Sequence, residues 1–138
     1  SRFRSSVTLV VDASLVVAAL TDMDDDGKWA RSLINLNELW APHVMPVEVV
    51  HSLRRTAMTG RLPQETVQRA HDDLLTLTVE LYPYEPLARR VWELRQNITP
   101  YDAWYIALAE ALGASLATLD RRLAAAAGPR CTFVTPPV

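Results

Sequence analysis

Four acidic residues sit where one chain can gather them around a single point. Asp12 closes the apolar run Val7–Val11, and Asp120 closes Ser115–Leu119. Glu48 stands in Val47-Glu48-Val49-Val50, just after Pro46, and Asp102 follows Thr99-Pro100-Tyr101. Each has an ordinary structural use. Asp and Ser are favoured helix N-caps, which suits Asp12, Ser14 and Asp120 at the starts of following helices. Thr99-Pro100-Tyr101-Asp102 approximates a capping box, with Thr at the cap and Pro at the first helical position. A Glu in a first helical turn complements the helix dipole. Together the four point to different chemistry. Carboxylates brought into one pocket repel, and some of their pKa values rise. A hard divalent cation relieves that repulsion, because Mg²⁺ and Mn²⁺ prefer oxygen ligands and Mg²⁺ also takes phosphate oxygens. Such a site suits phosphodiester hydrolysis, in which the metal offsets phosphoryl charge and acidifies a bound water.

The elements around these acids explain how they would meet. Val7–Val11 contains no alternating polar residue, so it reads as a strand buried on both faces, as in a parallel sheet. Ser14–Leu20 reads as a helix, and Asp22, Asp24, Asp25 and Asp26 as a solvent-facing acidic turn ending in Gly27. Helices follow over Lys28–Leu36, Pro46–Met58 (closed by Gly60), from Pro63 through Leu77, Glu85–Arg95, Thr99–Leu112 (closed by Gly113) and Arg121–Ala127. Short strands are expected at Leu39–Ala41, Val79–Leu81, Ser115–Leu119 and Thr132–Val134. Alternating strands and helices predict an α/β fold: a three-layer α/β/α sandwich with a mainly parallel central sheet. Ligands bind such sheets beyond the carboxyl ends of the strands, where Asp12 and Asp120 fall. On the helix after Pro46, Glu48, Ser52 and Arg55 share one face with His51 beside it, leaving Val47, Val50 and Leu53 to pack elsewhere.

Composition narrows the class. The chain has 138 residues, 49% apolar and 22% charged, enough for one domain with a real core and unlike a disordered or collagen-like chain. The apolar runs fall short of the ~20 residues a membrane span needs, and no signal-peptide pattern is present. Ser1 stands where an initiating Met would, so residues 1–6 read as a disordered or vector-derived leader. Cys131 is the single cysteine, which excludes an internal disulfide and a thiolate metal cage and fits a reducing, cytoplasmic setting. The net charge of -2 lacks the basic footprint of a bulk nucleic-acid binder. Arg54, Arg55, Arg61, Arg121 and Arg122 flank the second and fourth acids and are candidate phosphate contacts; singly, each also suits a solvated helix face. Trp29, Trp40, Trp92 and Trp104 are candidates for stacking on bases, with Trp104 better placed in the core. His43, His51 and His71 read as surface or interface residues.

Four blocks then carry a resemblance: Val11-Asp12-Ala13-Ser14, Pro46-Val47-Glu48-Val49, Thr99–Ala109 with its Tyr-Asp-Ala-Trp-Tyr core, and Leu116–Leu123 with Thr118-Leu119-Asp120. In order and spacing they resemble the PIN-domain family, and more narrowly the VapC-type toxins of toxin–antitoxin pairs. The resemblance implies an endoribonuclease dependent on Mg²⁺ or Mn²⁺. Asp12, Glu48 and Asp102 would hold the metal directly or through water, and Asp120 would act through water or on a second ion. Ser14 and Thr118 match hydroxyl positions that orient those acids. It also implies RNA as substrate, a neutralising antitoxin that occludes the acidic cleft with a basic side chain, and a homodimer. The residues alone leave a catalytically silent binding or regulatory module open, in which the acids only cap helices. Two other magnesium-dependent folds fit poorly. A receiver-type phosphorelay domain wants a Lys on a late strand end, yet Lys28 is the only Lys. A haloacid-dehalogenase-type phosphatase wants Asp-x-Asp where this chain has Asp12-Ala13-Ser14.

Overall fold

A computed structural model describes residues 6–138 of the chain; the leader reading of residues 1–5 lies outside them. Five strands form one sheet: β1 (Thr8–Val11), β2 (Glu38–Pro42), β3 (Glu80–Tyr82), β4 (Ser115–Ala117) and β5 (Phe133–Val134). Their order is β3-β2-β1-β4-β5, and every pairing is parallel. The crossovers are helical: α1 (Ala13–Thr21) and α2 (Asp25–Leu36) before β2, α3 (Met45–Met58) and α4 (Gln64–Thr76) before β3, α5 (Ala88–Glu93) and α6 (Pro100–Leu112) before β4, and α7 (Arg121–Ala124) before β5.

From β1 the chain moves one way across the sheet to β2 and β3, then the other way to β4 and β5. Parallel crossovers are right-handed, so the reversal sends the first four helices to one face and the later ones to the other. The packing agrees. α1 contacts α2, α3 and α4, while α5 packs on α6, which lies against β1, β2 and β4. The sheet is therefore the middle layer of three. The reversal at β1 and β4 opens a crevice at their carboxyl ends. β1 is buried from Leu9 to Val11, and α6 is buried at Ala103 and from Tyr105 to Ala109. The alanines of α6 let its backbone approach the sheet closely.

Several elements depart from expectation. The acidic turn is shorter, because Asp25 and Asp26 already belong to α2 and Asp24 is its N-cap. Gly27 is a buried helical residue rather than the turn's end, and a Cβ there would lie 1.8 Å from the Asp22 carbonyl oxygen. The helix expected over Glu85–Arg95 begins as a 3₁₀ turn, Glu85–Leu87, before α5. β4 stops at Ala117, because the Thr118 hydroxyl accepts the Asp120 N–H at 2.9 Å and turns the chain. α7 stops at Ala124, short of Ala127. On α3 the core face is Met45, Val49 and Leu53, spaced four apart, whereas Val47 and Val50 are exposed.

Candidate active site

β1 and β4 are in register with Val11 opposite Ala117, so Asp12 and Thr118 are the next residues on neighbouring strands. Asp12 is 7% exposed and Thr118 0%. The Thr118 hydroxyl donates to Asp12 Oδ2. On Oδ1, Asp12 accepts the Ser14 hydroxyl at 2.7 Å and the Leu15 N–H at 3.0 Å. Asp12 is thus the N-cap of α1, as its local sequence suggests, and its second oxygen is held as well. Ser14 Oγ also accepts the Leu119 N–H at 3.2 Å. Ser14 and Thr118 therefore stitch the two strand ends together through Asp12.

α6 supplies two further groups. The Thr99 hydroxyl accepts the Asp102 N–H at 3.3 Å, half of a capping box. The Thr99 hydroxyl also acts on the Asp102 carboxyl and pulls its pKa down. One turn later the Tyr105 hydroxyl, on a residue 1% exposed, donates to Glu48 Oε1 at 2.5 Å. Sequence patterns give Tyr105 no role of its own; its only signal there is its place three residues after Asp102. Asp120 caps α7, its Oδ1 accepting the N–H groups of Arg122 at 3.0 Å and Leu123 at 3.1 Å.

The electrostatics tie these acids together. Burial pushes the Asp12 carboxyl above its usual range and outweighs its three donors, and Asp102 pushes it the same way. Glu48 is raised by burial and by Asp102 and Asp12, against the pull of the Tyr105 hydroxyl. Asp102 is raised by burial and by Asp120, against the pull of the Thr99 hydroxyl. Burial, then the Glu48 contact, keeps the Tyr105 phenol protonated. No cation answers this charge, since among the described residues both ion pairs belong to Arg90. The donor set is all carboxylate and hydroxyl oxygen, which fits a hard divalent ion. The set is not drawn tight: among the described residues no three His, Cys, Asp or Glu side chains close on a common ion position.

The remaining expectations divide. Arg54, Arg55, Arg61 and Arg122 are exposed. Arg121 is exposed too, but its guanidinium is committed to the Pro136 carbonyl at 2.5 Å and to Thr135 Oγ1 at 3.3 Å. Two of its donors are thereby used within the fold. Trp29, Trp40 and Trp104 pack against the core, and Trp104 meets Tyr84 edge-on at 5.6 Å. Trp92 is exposed, with the Arg95 guanidinium 4.3 Å over its ring. His43 and His51 are exposed and His71 is half-buried. A cavity of about 570 Å³ lies near the amino ends of β2 and β3, where Asn37, Glu38 and Glu80 line it, away from the acids.

A parallel sheet with an unneutralised acid cluster at its switch point defines a class, and residues 9–129 match the PIN domain. The chain belongs to the PIN-domain family, on its VapC-type branch. It is 41% identical over 129 residues to Ribonuclease VapC9 of Mycobacterium tuberculosis, covering 94% of this chain and 98% of that one. It is 42% identical over 123 residues to Ribonuclease VapC1 of the same organism, covering 88% and 92%. The fold matches a chain of VapBC2 from Rickettsia felis, solved bound to a promoter DNA fragment, with a TM-score of 0.66 over 94% of this chain and 99% of that one. At 15% identity that likeness concerns the fold alone.

Proposed function

We propose that this chain is the toxin of a toxin–antitoxin pair, an endoribonuclease that works with Mg²⁺ or Mn²⁺ held by Asp12, Glu48, Asp102 and Asp120. One observation carries the reading: a buried carboxylate, Asp12, sits at the sheet's switch point among other acids with, among the described residues, no cation paired to them. A bound divalent ion would supply positive charge to a phosphoryl group and lower the pKa of a coordinated water. The side chains do the rest. Ser14, Thr118 and the Leu15 N–H fix both Asp12 oxygens, so its rotamer is set before any ligand arrives. Tyr105 holds one Glu48 oxygen and, among the described residues, the other has no partner. Asp102, at the start of α6, and the oxygen of Asp120 not used in capping complete the donor set. Exposed Arg54, Arg55 and Arg122 are the candidate phosphate contacts.

The same charge explains inhibition by a partner. An antitoxin arginine entering the cleft would meet these carboxylates as a charge-assisted fork and occupy the place of the metal. A homodimer is part of the proposal. The test is cleavage of total RNA by the purified, partner-free chain with Mg²⁺, with Mn²⁺ and with EDTA, alongside Asp12→Ala and Asp102→Asn. Cutting that needs the metal and is lost in both variants is the expected result. Asp12→Ala loses a helix cap, a cost of about 0.5–2 kcal/mol, so a melt confirms that it stays folded. Cutting retained by folded Asp102→Asn would sink the assignment.

A further inference from the structure

α3 carries Glu48 in its first turn and then runs outward from the acids. A helix turns by roughly 100° per residue, so Ser52, Arg55 and Thr59 fall within about 40° of the direction of Glu48. Arg54 lies on another side of the helix. Arg55 stands about 10 Å beyond Glu48 along the axis. This stripe is concave, for His51, Ser52, Arg55, Thr56, Thr59 and Arg61 line a cavity of about 380 Å³. Arg61 reaches it through the way α3 ends. Gly60 takes a φ of 70°, its N–H donates to the Ala57 carbonyl at 3.2 Å, and the Arg61 N–H donates to the Thr56 carbonyl at 3.1 Å. That is a Schellman closure, which folds the chain back over the last turn.

The lining is chemically one-sided. It offers two guanidinium groups, an imidazole and three hydroxyls, and no carboxylate. Thr56 and Thr59 already donate their hydroxyls to the Ser52 and Arg55 carbonyls, at 3.0 and 2.8 Å. Among the described residues, the side chains of Arg55, Arg61, His51 and Ser52 have no partner. A protein of net charge -2 thus keeps two unneutralised arginines and a free hydroxyl facing one hollow, in line with its acid cluster. Arginine forks suit the tetrahedral oxygens of phosphate, and backbone contacts of this kind fix the register of a strand without reading its sequence.

We propose that this hollow binds a phosphodiester of single-stranded RNA adjacent to the one being cut, a subsite along α3 that sets the direction in which the strand crosses the acids. The proposal rests on the ribonuclease reading above. Its test is the Arg55→Ala/Arg61→Ala double variant, made both in the active chain and in the Asp102→Asn background. Binding of a short fluorescein-labelled oligouridylate to the Asp102→Asn proteins is followed by anisotropy across a salt series. Removing two charged donors should weaken binding about tenfold or more. The slope of log affinity against log salt should flatten by roughly 0.7 for each phosphate that is no longer neutralised. In the active chain the effect should fall on KM and leave kcat in place, with Arg55→Lys/Arg61→Lys recovering part of it. Arg69→Ala, an exposed arginine of α4, is the charge control, and melts establish that every variant is folded. Unchanged affinity and salt slope in the double variant, while wild type cuts and Asp102→Asn does not, overturns the subsite alone. If wild type neither cuts nor, as Asp102→Asn, binds RNA, the ribonuclease reading fails and the subsite with it.

Discussion

Metal-free protein should be less stable at neutral pH than in mild acid. Asp12 is the reason: 7% exposed, it has its pKa lifted above the ordinary 3.8 by burial, then by Asp102, despite three donors that lower it. Glu48 and Asp102 are lifted as well, burial again leading. A carboxyl whose pKa is higher folded than unfolded holds its proton better in the fold. The folded state then binds more protons, and stability falls as pH rises. The penalty is complete above the raised pKa and fades as pH drops toward 3.8. Glu110 works the other way. Burial raises it, but Arg90 and the Arg130 N–H outweigh burial and hold it below its ordinary 4.5, so its contribution is lost only in stronger acid. Between about pH 4.5 and 7 the acid cluster should therefore set the slope. The acids are coupled and share their uptake. One full proton corresponds to about 1.4 kcal/mol per pH unit, or about 4–7 °C of Tm for a domain of this size. Thermal melts in EDTA at constant ionic strength should show Tm climbing from pH 7 to 4.5 at up to that rate. Saturating Mg²⁺ or Mn²⁺ should raise the neutral-pH Tm and flatten the slope, because the ion replaces the proton. A metal-free Tm that stays level or falls on acidification refutes the reasoning, as does an unchanged slope in Asp12→Asn/Asp102→Asn.

Three other substitutions separate the site from the scaffold. Thr118→Val and Tyr105→Phe each remove one hydroxyl that donates to a cluster carboxylate; each should lower Mn²⁺ affinity about 10–100-fold by calorimetric titration. Thr118→Val should also cost about 1–3 kcal/mol in a denaturant melt, since it strands the Asp120 N–H inside the turn. Gly27→Ala acts elsewhere. Its Cβ would fall 1.8 Å from a backbone oxygen of Asp22, so the α1–α2 packing must shift. The expected destabilisation is about 1–3 kcal/mol, despite the better helix propensity of Ala. That packing lies about 15 Å along α1 from Asp12, so cleavage per folded molecule should not change.

What a sequence can show of such a site depends on how far apart its partners are. Asp12 and Asp120 were legible because each ends a short apolar run, and a buried parallel strand announces itself without reference to anything distant. Asp102 was legible through its own N-cap and proline. Thr118 had an address only through the family resemblance: its bond to Asp12 exists because β1 pairs with β4 in one register, a relation across 106 residues that no local pattern encodes. The internal bonds of Arg121 were hidden for the same reason. Its helix looked solvated, and the carbonyl it binds belongs to Pro136 in the returning tail. On α3 the error was one of phase. Val47, Val49, Val50 and Leu53 are equally apolar, and only the placement of the helix over the sheet decides that Val49 and Leu53 go inward. That same phase turns Glu48 toward Tyr105, 57 residues away, and lines up Arg55 behind it. A helix rotated by one residue would keep the motif but turn Glu48 from Tyr105 and Arg55 from its hollow. The orientation of α3, as well as the presence of an acid in it, is therefore what the proposed active site requires.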